Sequence, residues 1–104
     1  MKSLQAKIKT FCRNNHLESP VEHRVLDTMS ELGEVAKEVL KMTNYGRKPL
    51  EFREEIKSEL GDVLYSLITI ANTFDIDLEE SVNGVLAKYE KRLLKGSAGS
   101  EVDQ

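Results

Sequence analysis

A chain of 104 residues has room for one domain and a modest core. Its 15 Lys and Arg against 18 Asp and Glu leave a net charge of -3, too small for charge alone to draw it to nucleic acid or a membrane surface. One cysteine, Cys12, excludes an internal disulfide, and no zinc-type Cys/His spacing exists. No apolar run is long enough to span a membrane, and residues 1–10 lack the apolar region of a secretory signal, so the expected setting is cytoplasmic.

Residues 1–15 read as a short helix with Leu4, Ile8, Phe11 and Cys12 on one side. Cys12 fits there as a small core residue. Asn14-Asn15-His16 tolerates a helix end. Ser19-Pro20-Val21-Glu22 then offers a capping serine, a proline at the first helical position and a capping-box glutamate. The second helix is expected over 20–42, with Val25, Met29, Leu32, Ala36, Val39 and Leu40 as its apolar stripe. Asp27, Glu31, Glu34 and Glu38 share an adjoining arc roughly 60° wide. Asn44-Tyr45-Gly46 closes that helix, and Arg47-Lys48-Pro49 completes the connection.

A third helix is expected over 50–74. Its stripe is Ile56, Leu60, Val63, Leu64, Leu67 and Ala71, with Glu55, Glu59, Asp62 and Ser66 on the neighbouring arc. Asp75-Ile76-Asp77 breaks it, and Asp77 to Glu80 again looks like a capping box. The fourth helix, over 78–95, would bury Leu78, Val82, Val85, Leu86, Tyr89 and Leu93. Residues 96–104 are expected to form a flexible tail. No stretch alternates with period two. Short loops favour antiparallel neighbours, so the fold class is all-α: a four-helix, bundle-like domain over 1–95, completed by self-association.

Glu31-Leu32-Gly33-Glu34 and Glu59-Leu60-Gly61-Asp62 are the most informative stretches. A three-residue step on a helix returns a side chain to within about 60° of the same face. Each pair can therefore aim two carboxylates at one spot, and antiparallel helices bring the pairs together. Four converging carboxylates suit magnesium, with manganese as a substitute, and leave positions for phosphate oxygens and water. Glycine costs about 0.5–1 kcal/mol in a helix interior. Gly33 and Gly61 thus mark either close packing of helices or room for a ligand. Glu38 and Glu55 read as solvated. Two readings fit Lys88, Lys91 and Arg92: a phosphate-binding arc, or cations favoured by the helix C-terminus, the second being the reading for Lys95. His16 and His23 lack the Glu-x-x-His spacing of di-iron bundles, and no phosphate-binding glycine loop is present.

Taken together, these motifs resemble the MazG-like superfamily of all-α nucleotide pyrophosphohydrolases. The likeness rests on Glu31-x-x-Glu34, Glu59-x-x-Asp62, the Ala71-Asn72 to Ile76-Asp77-Leu78-Glu79 junction and Lys88-Tyr89-x-x-Arg92, and covers about residues 21–94. It implies magnesium-dependent hydrolysis of a nucleoside triphosphate to the monophosphate and pyrophosphate, as nucleotide housecleaning. Glu31, Glu34, Glu59 and Asp62 would be ligands and catalytic groups. Lys88 and Arg92 would steady the phosphate tail, and Asn72 would bond substrate or fix a loop. Ser66 stands where the phosphoribosyl-ATP branch often has histidine, and base-stacking tryptophans are missing, leaving Tyr45 and Phe52 near the loop. The resemblance also implies a homodimer or homotetramer. The competing reading is a non-catalytic oligomeric module that keeps the acidic face as a regulatory metal or nucleotide site.

Overall fold

The computed structural model describes residues 1–96. The tail expected over 96–104 therefore lies, apart from Gly96, outside the described residues. Among the described residues the fold is four helices and no strand: α1 (Lys2–Asn14), α2 (Val21–Met42), α3 (Glu55–Thr73) and α4 (Leu78–Leu94).

α3 is the axis on which α1 and α2 lie. Gln5 meets Asn72 while Cys12 meets Tyr65, so α1 runs antiparallel to α3. Glu38 meets Arg53 while Glu31 meets Glu59 and Asp62, so α2 does the same. The apolar core is small: Ile68 is 0% exposed, and Ala71, Cys12 and Met42 are buried around the same helix.

One buried glutamine fastens the ends. Gln5 Nε2 donates to Asn72 Oδ1 (3.2 Å) and to the Ile76 carbonyl (2.8 Å), and its Oε1 accepts from Leu78 N (3.0 Å). It thereby satisfies backbone groups at the α3–α4 corner that a helix end would leave unpaired. The Asp77 cap forms as expected, accepting from the amides of Glu79 (3.0 Å) and Glu80 (3.3 Å).

Three expectations are corrected. Ser19 caps nothing: Pro20 occupies the cap position of α2, in an extended conformation with no side-chain cap. α3 begins at Glu55, later than residue 50. Asn44, Tyr45 and Gly46 all take left-handed backbone (φ 48, 59 and 88), and the chain then returns along α2, with Glu51 N donating to the Met42 carbonyl at 2.9 Å. Along α2 the apolar stripe is open in the single chain, as a chain completed by self-association would leave it: Met29 is 65% exposed and Leu32, Val39 and Leu40 are also exposed. The third correction concerns α4, whose apolar face is not buried within the chain. α4 is tied at its N-terminal end and does not pack along α2 or α3, leaving Val82, Val85, Leu86 and Leu93 exposed. The Cα radius of gyration is 17.1 Å, against about 13 Å for a compact domain of this length.

Candidate metal centre

Beside the small apolar core, the face that α2 and α3 turn towards each other carries acids. Glu31 from α2, with Glu59 and Asp62 from α3, places one carboxylate oxygen each within 4.8 Å of the others. Glu31 and Glu59 are half-buried and Asp62 is exposed. The three-residue step aims Glu59 and Asp62 alike, and the antiparallel register sets Glu31 opposite them.

Such crowding has an electrostatic cost. The Glu59 carboxyl is held above the ordinary carboxylate range, first by removal from solvent, then by the negative charges of Glu34, Asp62, Glu31 and Glu38. Glu34 stands outside the trio of oxygens yet contributes the largest of those charge effects. All four expected acids therefore share one neighbourhood. Hard carboxylate oxygens in this number suit a small divalent ion such as magnesium, which takes such ligands at about 2.0–2.1 Å and retains waters. The residues fit the group.

The glycines favour one of their two readings. A Cβ built at Gly33 or Gly61 would meet nothing within 4 Å, so close helix packing inside the chain does not explain either. Open space lies beside the acids instead.

Glu38 corrects the reading of it as a solvated side chain. It is only 6% exposed, with Arg53 Nε hydrogen-bonded to its Oε1. The Arg53 guanidinium is held even more firmly protonated, chiefly by that hydrogen bond. Glu55 is exposed, as expected of a solvated residue. Periodicity could place Glu38 on the acidic arc but could not show its partner, which sits in irregular chain fifteen residues on.

The other candidates lie elsewhere. Lys88 and Lys91 are exposed on α4, and among the described residues no ion pair joins either to the carboxylates. Lys88 Nζ lies 5.8 Å from the Tyr89 ring centroid, and the buried Arg92 guanidinium 5.5 Å from it. Asn72 stands ten residues along α3 from Asp62, roughly 15 Å at the helical rise. Its amide is engaged by Gln5, donating to the Gln5 carbonyl at 3.0 Å. It lines a cleft of about 160 Å³ with Cys12, Arg24 and Thr69, which none of the four acids enters. Cys12 is buried as expected, 3.2 Å from the Tyr65 hydroxyl. The role of Gln5 went unread, because a polar residue within an amphipathic helix carries no signal of what it will meet.

Among the described residues, then, the chain is all-α and its central helix pair brings three carboxylates together. Residues 21–95 match the MazG nucleotide pyrophosphohydrolase domain, and the chain belongs to that family. It is 46% identical over 65 residues to the uncharacterized protein YpjD of Bacillus subtilis (strain 168), a match covering 60% of this chain and 57% of that protein. The chain thus spans little more than half the length of that relative. The crystal structure of YPJD from Bacillus subtilis, described there as a candidate pyrophosphatase, superposes with a TM-score of 0.71 at 33% identity, covering 85% of this chain and 92% of that one. That of a Bacillus-conserved MazG protein, described as a nucleotide pyrophosphohydrolase, gives 0.71 at 26% identity over 98% of this chain and 92% of that one. No helix among the described residues is long and apolar enough to cross a membrane.

Proposed function

We propose that the protein hydrolyses a nucleoside triphosphate to the monophosphate and pyrophosphate. Glu31, Glu59 and Asp62 would hold magnesium, or manganese in its place, with Glu34 beside them. The observation that carries the reading is the trio of carboxylate oxygens drawn together across two helices despite the electrostatic cost borne by Glu59. A bound divalent ion neutralises phosphate charge and lowers the pKa of a coordinated water. Glu34, outside the trio, is the carboxylate left to take the proton of the attacking water. The water oxygen would bond to the α-phosphorus while the α–β bridging bond breaks, its electron pair leaving with pyrophosphate. The open space beside Gly33 and Gly61 would leave room for the phosphates. In the cell this activity would clear cytoplasmic nucleotides.

The working form in this reading is a homodimer or homotetramer. Leucines left open along α2, α3 and α4, together with the expanded single-chain radius, support it. Chromatographic separation of products, with a coupled pyrophosphate assay over a panel of triphosphates, tests the chemistry. Monophosphate and pyrophosphate in equal amounts are expected. Diphosphate with orthophosphate would place the attack on the wrong phosphorus and overturn the assignment.

A further inference from the structure

A triphosphate tail carrying up to four negative charges must approach four carboxylates, and one divalent ion does not balance that sum. A cation of the chain close by would offset part of it, and within the single chain α4 does not bring Lys88 or Lys91 along the α2–α3 pair. Arg53 is already there. The irregular stretch before α3 carries it back over the C-terminal half of α2, where its Nε is hydrogen-bonded to Glu38. Glu38 is one turn beyond Glu34, and Glu55, the other acid beside Arg53, is one turn before Glu59.

We propose that Arg53 is a phosphate-binding residue of this site, oriented by Glu38 so that its outer N–H groups meet the triphosphate tail. This rests on the metal and triphosphate reading above. The hydrogen bonding of the guanidinium supports it. Nε is committed to Glu38, but Nη2 stands 3.6 Å from Glu55 Oε2, beyond hydrogen-bond range. The outer edge of the fork is held only by this longer ion pair to the exposed Glu55, which phosphate oxygens would displace, and a planar fork with parallel N–H groups matches such oxygens in pairs. Half-burial of Arg53 limits the side-chain freedom lost on binding. Glu38 acts here as a positioning residue, and Arg53 as the group that touches substrate.

The test is calorimetric binding of inorganic tripolyphosphate in excess magnesium, which needs no turnover. Arg53→Gln should weaken tripolyphosphate binding at least ~10-fold, as expected for loss of charge-assisted hydrogen bonds. Arg53→Lys should recover only part of that loss. The shift in melting temperature with magnesium alone should remain in both. Arg53→Gln strands a buried Glu38 charge and risks misfolding, so the double variant Glu38→Gln/Arg53→Gln is the second arm, expected to fold and still bind weakly. Tripolyphosphate binding of wild-type strength in any folded Arg53→Gln background would reduce the pair to a structural tie. A wild type that responds to magnesium but takes up no tripolyphosphate overturns the role of Arg53 and leaves the metal centre standing. A wild type with no magnesium response overturns the metal reading itself, and this one with it.

Discussion

The two faces of the α2–α3 pair are arranged against the usual order. The face turned inward carries Glu31, Glu38 and Glu59, while the face turned outward carries Met29, Leu32, Leu60 and Leu64. A surface helix ordinarily does the reverse, because apolar area removed from water is the main driving force of folding. The inward face thus costs stability within the chain and gains a chemical site. The outward face leaves burial still to be made. The single chain completes the site's acids before it completes its core.

The largest effect that can break this contrast lies at the centre of the small core. Ile68→Ala removes a fully buried side chain and should cost about 2–5 kcal/mol in urea unfolding. A loss below about 1 kcal/mol would show that α3 is not the axis.

The acidic face should reveal itself through pH. Glu59 has a folded-state pKa raised above its unfolded value, so the native chain holds more protons. Its contribution is present below the unfolded pKa and is lost as pH rises through the folded value. Without divalent metal, unfolding free energy should fall over that window, and the fall should shrink in Glu59→Gln. Identical profiles for the two proteins would mean that the inward face carries no strain.

A smaller effect of opposite sign is expected at Gly61. Nothing lies within 4 Å of a Cβ there, so Gly61→Ala should raise stability by about 0.5–1 kcal/mol through helix propensity. If the open space serves substrate, kcat/KM should fall in the same variant. A gain in both would return Gly61 to mere tolerance.

The smallest effect concerns α4. Leu94 is 85% exposed, so Leu94→Ala should stay within about 0.5 kcal/mol. A large loss that grows with protein concentration would identify α4 as part of a subunit interface.

What was legible in the sequence follows from these contrasts. Helical period placed Glu31, Glu34, Glu59 and Asp62 on matching arcs, and Asp77 announced its cap, because both signals are local. The path of residues 43–54 was not local. Tyr45 in left-handed backbone carries little sequence warning, unlike Asn44 and Gly46, and the late start of α3 depends on that turn. Burial of Glu38 followed from the same path. Periodicity also reads an amphipathic helix without saying which face the single chain covers, so the expected burial of Val82, Val85, Leu86 and Leu93 on α4 does not hold.

Thermal unfolding at neutral pH across a magnesium titration, with wild type beside Glu59→Gln, tests the acidic site most directly. Binding to the native chain should raise stability as the logarithm of free metal, about 2.7 kcal/mol at a hundredfold excess over the dissociation constant. Glu59→Gln keeps the shape, loses a ligand charge and should respond much less, while equalling or exceeding the wild type without metal. Equal magnesium responses in the two proteins would contradict a metal centre at Glu31, Glu59 and Asp62.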